Sequence, residues 1–546
     1  LIILCGLTPC TLNQYANSKS GDSMRSPSQH VFSRVPHADI PRSRFRTEQG
    51  YKTTFNSGYL IPFYVDEVLP GDTFKLRTTS FCRLATPIVP IMDNIYLDYH
   101  FWYVPCRLVW DNFVRMMGER DSPDDSIDYL VPQMFAPADG GVAPESLSDY
   151  FGIPVGVPNL AFDSLWHRAY NLIWNEWYRD PNLQDPVPFD KGDGPDTYSD
   201  YVLLPRGKRK DYFTGALPAP QQGPGVNIPL GDSAEIRADG QLFLGPTDSE
   251  GELGVVAGTI ASGRQTVSMS VPTSGFTANE PLQYRSGLFA DLSTATAATI
   301  NSLRQAFQLQ RLLERDALGG GNRYCTLLVS HFGVTSPDSR LQRPEYLGGG
   351  SAPVNIHSVT QTSSTNSTSP QGNLAATGTH GAHIGFDKSF VEHGLILGLV
   401  SVRADLTYQY GLPRMFSRRG RYDFYWPVLS HLGEQAILNK EIYAQGTSAD
   451  DEVFGYQERW AEYRYGVSKI TGKLRSSVTG SLDVWHMAEK FDSLPTLSDD
   501  FIQSKPPISR AIAIPDEPEF IFDSVIVCDK IRPMPLFSVP GLIDHF

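Results

Sequence analysis

The sequence is short of cysteine, of long apolar runs and of positive charge. Its six cysteines, at positions 5, 10, 82, 106, 325 and 528, lack the paired spacing of a zinc site or a disulfide framework. No apolar run approaches the roughly 20 residues that cross a membrane, and the start LIILCGL lacks the charged lead-in of a signal peptide. These absences predict reduced structural thiols, no metal site, no membrane partner and no secretion.

Catalytic motifs are missing as well. There is no HExxH, GxSxG or GxGxxG motif, and GVSKITGKL at 466–474 has five residues between its glycines where a phosphate loop has four. The spacing of His380, His383 and His393 predicts loop histidines rather than metal ligands. The acidic pairs at 124–125 and 499–500 lie among loop-forming residues and are predicted to be solvated turns, although a glycosidase also uses paired carboxylates. The sequence therefore predicts no catalytic residue, no cofactor and no enzyme.

Charge is unevenly distributed along the chain. The total of 46 Lys and Arg against 60 Asp and Glu, or −14, argues against a protein that coats nucleic acid over its whole surface. Local basic clusters are nevertheless candidates for phosphate contacts, and the alternative is that they bind carboxylates of neighbouring subunits. The candidates are Arg25, Arg34, Arg42, Arg44, Arg46 and Lys52 in one segment, and Arg414, Arg418, Arg419 and Arg421 in another. A third basic cluster consists of Arg206, Lys208, Arg209 and Lys210.

The hydrophobic pattern is typical of a β-rich protein with long connections. YLIPFYV and DTFKLRTTS, after residue 58, are short strand-like runs, and residues 95–103 alternate with a period of two. The segment 395–410 predicts a buried strand, whereas 353–385, rich in Ser, Thr, Asn and Gly, is predicted to be loop or sheet edge. Residues 25–58, interrupted by prolines, predict an extended arm with little hydrogen bonding of its own.

Three segments have helical periodicity. Asn301 is a predicted N-cap for a helix with a buried stripe, which Gly319, Gly320 and Gly321 should end. The stripe consists of Leu303, Ala306, Phe307, Leu309 and Leu313. Shorter helices are predicted at 108–117 and 166–177, where aromatic stripes indicate core packing rather than a cofactor site. The segment that follows, with glycines at 348–350, is predicted to be held by its neighbours rather than by a strand ladder of its own.

Seven strings carry a resemblance to a known family. They are PRSRF (41–45), HFWYVPCRLVWDNF (100–113), AYNLIWNEWYRD (169–180), RKDYFTGALPAPQQG (209–223), PQGNLAATG (370–378), FGYQERWAEYRY (454–465) and RPMPLFSVPGLIDHF (532–546). With these, the chain from about Pro36 to Phe546 closely resembles the major capsid proteins of the gokushoviruses, single-stranded DNA phages of the Microviridae.

The resemblance implies a mainly β fold, an eight-stranded viral jelly-roll β-sandwich with long loop and helical insertions. It implies sixty copies in a T=1 icosahedral shell around circular single-stranded DNA, with a small internal DNA-binding protein as partner and assembly in the bacterial cytoplasm. By this analogy the cluster at 414–421 is expected to face the genome. For the arm, contact with phosphates and contact with carboxylates of neighbouring subunits both stay open.

The predicted organisation has three parts. Residues 1–23 are a possible non-native upstream extension, because Met24 resembles the family's start. Residues 24–58 form the basic arm, and 59–546 form one jelly-roll domain with a C-terminal tail at 532–546. Within it, the Gly-, Ser- and Thr-rich stretch 230–282 is expected to be a surface protrusion that contributes to host attachment, with an unknown receptor.

Two other functions fit parts of the pattern. One is a secreted carbohydrate-binding or glycoside-hydrolysing β-sandwich, which should carry a signal peptide and a carboxylate pair supported by aromatic residues. The other is a different virion component, such as a spike or scaffold, which would not match the capsid strings over almost the whole chain.

Overall fold

The computed structural model describes residues 40–221, 235–238, 244–246, 254–259, 265–270, 282–284, 288–291, 300–318, 328–334, 342–367 and 370–537. Eight long strands in the described part form a sandwich of two sheets. We number them β1 (Ser43–Phe55), β2 (Ile61–Val68), β3 (Thr73–Leu84), β4 (Ile95–Pro105), β5 (Glu345–Pro353), β6 (Leu374–Ser389), β7 (Gly394–Ala404) and β8 (Phe520–Arg532).

The strand order identifies the topology of the sandwich. One sheet has the order β1-β8-β3-β6, extended at its edge by Asn355–Thr360, and the other has the order β5-β4-β7-β2. All neighbours are antiparallel, and the chain passes repeatedly from one sheet to the other. This is a jelly roll, so the predicted fold class is confirmed.

The main core fills the space between the two sheets. On β4, Ile95, Leu97, Tyr99 and Phe101 are fully buried in it, so the period-two pattern of this strand is confirmed. The opposite face of β4 is covered as well, because Trp102 belongs to a second apolar cluster outside the sandwich. Burial on both faces also explains why β7, read from its sequence as a buried strand, is apolar at nearly every position.

The connection from β4 to β5 holds the helical insertions. Helix α1 (Leu165–Ile173), continued by a wider turn at Trp174–Tyr178, packs Ala169, Tyr170 and Ile173 into the second cluster and confirms the predicted helix. Helix α2 (Ile300–Leu318) begins one residue before the predicted cap Asn301, and the predicted stop at 319–321 lies outside the described residues. Other elements here are Cys106–Val109, Phe113–Met116, Gln133–Phe135, Leu147–Tyr150, Ala161–Asp163, Tyr198–Asp200 and Leu328–Phe332.

The predicted protrusion at 230–282 falls partly outside the described residues. Its described strands belong to three antiparallel pairs, and the second strands of two of these pairs reach or lie beyond the predicted end at 282. The pairs are Glu235–Ala238 with Leu288–Asp291, Leu244–Pro246 with Leu282–Tyr284, and Gly254–Thr259 with Gln265–Ser270.

The connection from β7 to β8 packs against residues 212–216 of the β4–β5 connection in a third apolar cluster, around Phe213, Tyr408 and Ile437. Its hairpin joins Glu434–Leu438 to Val453–Glu458. Short helices and turns make up the rest: Arg414–Phe416, Arg421–Asp423, Pro427–Leu429, Asn439–Ile442, Ser448–Asp451, Ala461–Tyr463, Gly472–Leu474, Asp483–Trp485, Asp499–Ile502 and Ile508–Ala511. The predicted strand 395–410 therefore ends at Ala404, and its second half is loop.

The prediction of an arm without its own hydrogen bonding is wrong for residues 43–55. All 13 residues of β1 pair with β8, which makes this segment the edge strand of the first sheet. The sequence did not reveal this strand for two reasons. Its residues are mostly polar, because an edge strand exposes much of its surface, and its partner strand lies more than 460 positions away in the chain. Residues 1–39 lie outside the described part.

Three other expectations are corrected by the structure. Strand β6 lies between β3 and Asn355–Thr360 with Ala376 and His380 buried, so within the predicted segment 353–385 the edge of this sheet is Asn355–Thr360 and not β6. The glycines at 348–350 lie within β5, where a side chain at Gly349 would collide with the backbone oxygen of Tyr99. The predicted stripe of α2 is only partly covered, because Phe307 and Leu309 are exposed.

Candidate nucleic-acid interface

The basic residues of the first segment lie on one face of β1. Arg44 donates two hydrogen bonds to Asp529 on β8, at 3.2 and 2.6 Å, and Lys52 donates one to Asp523 at 2.5 Å. Arg46 is directly opposite Asp529 in the strand register and has no hydrogen bond of its own in the described structure. The hydrogen bond from Arg44 lowers the pKa of Asp529 below its usual range. These exposed pairs contribute little stability, because water screens them.

The rest of that segment is less constrained. Arg42 is exposed just before β1, and Arg25 and Arg34 lie outside the described residues. The structure therefore brings four of the six predicted cations to one edge of the sandwich, where carboxylates of the same chain already neutralise two of them.

The second segment divides into paired and exposed arginines. Arg414 donates to Glu441 at 2.8 Å and lies 3.9 Å from Glu462, and Arg418 lies 3.4 Å from Glu462. Burial acts to lower the pKa of the Arg414 guanidinium, but the charges of Glu441 and Glu462 and the contact with Tyr212 together outweigh it, and the net pKa is raised. Arg414 and Arg418 thus neutralise carboxylates within one subunit.

Arg419 and Arg421 are exposed and have no carboxylate partner in the described part of the chain. The guanidinium of Arg421 lies 4.9 Å from the ring centre of Trp426 and 5.9 Å from that of Tyr422. Exposed arginines that alternate with exposed aromatic rings are a typical surface for single-stranded nucleic acid.

The third basic cluster is structural. Arg206 contacts Asp98 at 2.6 Å, Lys208 contacts Glu489 at 2.7 Å, and Lys210 pairs with Asp180. Three of the four cations therefore have a carboxylate partner inside the chain, and the guanidinium of Arg209 lies 5.7 Å from the ring centre of Tyr96. This cluster has little charge left for phosphates.

The histidines and acidic pairs do not come together as a group that could hold a metal ion in the described residues. His380 was predicted to lie in a loop, but it is a buried residue of β6. It contacts the Tyr99 hydroxyl at 2.9 Å and the Pro353 carbonyl at 3.0 Å. His383, also on β6, contacts Thr79 across the sheet, and the ring of His393 lies beside Phe113. These contacts serve packing.

The acidic pairs stabilise turns. Asp125 accepts hydrogen bonds from the backbone of Asp121 and Ser122, and Asp499 opens a four-residue helix capped by Ser498. The segment 466–474 is irregular, with a single turn at its end and no helix to receive a phosphate, as its spacing predicts.

One feature was missed as a candidate from the sequence. Residues 463–482 contain four cations and no carboxylate, and Lys469 and Arg475 line a cavity of about 600 Å³ beside Arg414 and Arg418. The sequence GVSKITGKL, with two lysines and no carboxylate, indicates a basic loop. It was considered only as a phosphate loop, so it was not included among the basic clusters.

Comparison with known proteins decides the family. The model of the family described as "Capsid protein (F protein)" matches residues 33–542. The chain belongs to this family of phage capsid proteins.

Named relatives of this F-family chain span nearly its full length. It is 48% identical to "Capsid protein VP1" of Bdellovibrio phage phiMH2K, over 95% of this chain and 98% of that protein. It is 44% identical to "Capsid protein VP1" of Chlamydia phage 1, over 96% and 99% of the two chains, and 36% identical to that of Spiroplasma virus 4, over 94% and 97%. The gokushovirus resemblance is confirmed, and an F-family capsid protein is a component of the virion.

Two further features of the F-family chain bear on its interactions. No helix among the described residues is long and apolar enough to span a bilayer. Burial raises the pKa of the thiols of Cys82 and Cys106 to about 12, which keeps both unreactive near neutral pH.

Proposed function

We propose that sixty copies of this major capsid protein assemble into a T=1 icosahedral shell around a circular single-stranded DNA genome, without catalysing a reaction. The observation that carries the proposal is the amount of apolar surface that a single folded copy leaves exposed. Large exposed apolar patches mark interaction sites, and closed symmetry covers them without leaving a free edge.

The uncovered surface lies on several separate parts of the fold. On α2, Phe307 is 64% exposed and Leu312 is 46% exposed. Met92, Leu130 and Val391, on three different loops, are each more than 80% exposed. A shell subunit needs contacts in several directions, and apolar surface on separate sides of one copy fits that need.

The chain after β8 adds a further surface. Met534, Leu536 and Phe537 are exposed at the start of the predicted C-terminal tail, whose remainder from 538 lies outside the described residues. An apolar segment without a strand partner is suited to lie on an adjacent subunit.

Genome contact is proposed for those cations of the first two basic segments that have no carboxylate partner in the described part of the chain. These are Arg42, Arg46, Arg419 and Arg421, which neutralise phosphates of any sequence by releasing counterions. The family resemblance adds a small internal DNA-binding protein as a second partner and the host cytoplasm as the place of assembly. The insertion 230–282 is proposed to contribute to host attachment.

The direct test is assembly of the purified full-length chain. We expect electron microscopy to reveal closed isometric particles, and native mass measurement to give sixty copies of the 60.6 kDa chain. Particles from infected cells should protect circular single-stranded DNA from nuclease. A chain that stays monomeric or forms only open sheets under all assembly conditions would refute the shell.

Host attachment has its own experiment. A variant in which 230–282 is replaced by a short Gly-Ser linker should still form shells, because none of the described strands of this insertion belongs to the two sheets of the sandwich. Its particles should fail to adsorb to host cells. Normal adsorption by the deleted particles would remove the insertion from the attachment function.

A further inference from the structure

The cavity between the β7–β8 connection and residues 212–213 is lined in part by aromatic and apolar side chains. Phe213 and Tyr408 are packed with ring centres 4.8 Å apart, and Ile470 is buried beside them. The volume of about 600 Å³ lies in the range of small-ligand sites and exceeds what one amino-acid side chain fills.

The wall of the cavity is polar and largely satisfied by internal contacts. Glu441 accepts hydrogen bonds from Tyr212 at 2.9 Å and from Arg414 at 2.8 Å. Arg418 is held by Glu462 and by the ring of Tyr463, but its Nε has no hydrogen-bond partner in the described structure. A side chain that lines the cavity thus carries one buried donor without a partner in the described structure.

The lining of the cavity carries a net positive charge. Four cations and two carboxylates line it, in a chain whose net charge is −14. Lys469 and Arg475 have no carboxylate partner among the described residues, and neither has the exposed Lys473, which belongs to the same loop. An anionic ligand would meet this excess of positive charge directly.

Two exposed rings flank the basic groups. Phe416 is 68% exposed and Tyr465 is 48% exposed, and both line the cavity. Neither has an aromatic or cationic partner in the described part of the molecule. Their faces are therefore available for stacking, unlike the ring of Tyr463, which Arg418 covers at 4.6 Å.

We propose that this cavity binds an unpaired base of single-stranded nucleic acid, with the adjoining phosphates at Lys469, Lys473 and Arg475. A base is planar and stacks on aromatic rings, and its phosphates need cations at the rim. A base inside a duplex is stacked on its neighbours and cannot enter, so the cavity selects single strands. The inference rests on the proposed function in one respect: the packaged genome is the source of the strand.

The test compares two oligomers of equal charge. The full-length chain is titrated with labelled dT12 and with an abasic 12-mer, and affinity is read from fluorescence anisotropy at several salt concentrations. Because stacking on aromatic side chains strengthens binding of each base, dT12 should bind at least about tenfold more tightly than the abasic strand. Free dTMP should displace dT12 only at large excess.

Variants separate the rings from the cations. F416A/Y465A should lower the affinity for dT12 to the level of the abasic strand and leave abasic binding unchanged. K469A/K473A should weaken both oligomers and reduce the slope of log K against log salt by about 1.4, at about 0.7 for each lost phosphate contact. Matched controls are F537A, an exposed ring elsewhere, and K75A, an exposed lysine on β3; neither should change the difference between the oligomers.

The outcomes are distinguishable from those of the shell experiment. Equal binding of dT12 and the abasic strand, or dTMP as tight as dT12, would overturn the inference even if wild-type shells form. Loss of assembly by F416A/Y465A with unchanged affinity for dT12 would also overturn it and assign the cavity to a subunit contact. Selective binding of dT12 by a chain that forms no shells would support the inference while the proposed function fails.

Discussion

At the scale of single residues, buried charges are held by partners from distant parts of the chain. Asp98 on β4 is almost fully buried and accepts hydrogen bonds from Arg403 on β7, while Arg206 approaches it to 2.6 Å. Burial alone would raise the pKa of Asp98, but the hydrogen bond from Arg403 and the charge of Arg206 lower it to about 2. The carboxylate is therefore part of the fold rather than a titrating group near neutral pH.

Removing this charge should destabilise the chain strongly. We expect Asp98→Asn to lower the free energy of unfolding by about 3–5 kcal/mol, because it leaves two buried guanidinium groups unpaired. Urea denaturation of the unassembled chain measures the loss. Asp387→Asn is the matched control, since Asp387 pairs with Arg77 across strands but is half exposed, and its loss should stay below about 1 kcal/mol. Equal losses for the two variants would contradict the assignment.

The contribution of Asp98 also has a defined pH dependence. Its folded pKa lies below the ordinary value of 3.8, so the stabilisation is fully present above that value and is lost as the pH falls through about 2.

The pKa of Glu434 is shifted in the opposite direction, so its contribution to stability depends on pH in the opposite way. Burial, and then the charges of Glu314 and Glu458, raises its pKa to about 7, and its Oε2 has no hydrogen-bond partner in the described structure. Because the ordinary pKa is 4.5, the folded state holds a proton that the unfolded state has released, and stability falls as the pH rises from about 4.5 to about 7.

Glu434→Gln should therefore raise the melting temperature at pH 8 and flatten its decrease between pH 5 and pH 8. Differential scanning fluorimetry over this range is the measurement. Glu452→Gln, an exposed carboxylate one residue before the hairpin's second strand, should leave the profile of the wild type unchanged. If the melting temperature of Glu434→Gln decreased between pH 5 and pH 8 as steeply as that of the wild type, this explanation would be contradicted.

At the scale of elements, the predictions from sequence succeeded where buried positions recur at the regular spacing of a strand or a helix. Strand β4 was recognised because its inward positions are all large and apolar, and α1 because one side of a short helix enters the second cluster. Strands β1 and β6 were not recognised, since each is built from polar or small residues and owes its form to partners far away in the sequence. No local pattern can report such partners.

The same limit applies to the candidate interface. Which arginines are free depends on carboxylates that the fold brings near them: Asp529 beside Arg44, and Glu441 and Glu462 beside Arg414. The spacing of cations along the chain located the region, and only the folded structure separates Arg419 and Arg421 from their paired neighbours.

The basic face of β1 leads to a prediction about the genome. The triple variant R42Q/R44Q/R46Q removes two unpaired cations and one paired cation from an exposed strand face. We expect particles with less DNA, measured by the ratio of absorbance at 260 and 280 nm, and a nearly unchanged melting temperature, because exposed ion pairs stabilise little. R77Q on β3 is the control for losing a paired, exposed arginine. Particles with full genome content would refute the role of this face.

At the scale of the whole molecule, one copy of the chain combines a well-buried sandwich with apolar surface that it cannot cover itself. The sandwich core and the two outer clusters bury their aromatic residues, whereas α2 exposes Phe307, Leu309 and Leu312. In a single copy, this helix leaves part of its apolar stripe in contact with water, which is unfavourable. Association with another copy would remove that exposed apolar area. We therefore expect α2 to contact a neighbouring copy in the shell.

The variant F307S/L312S tests this contact. Both side chains are exposed in the single copy, so the unassembled chain should keep its fold and its melting temperature within a few degrees, while sedimentation should find subunits in place of particles. Gln308→Ser is the matched control, because it makes a comparable change at an exposed polar position of the same helix and should assemble normally. Normal particles from F307S/L312S would mean that α2 faces solvent in the shell and that its apolar surface serves another partner.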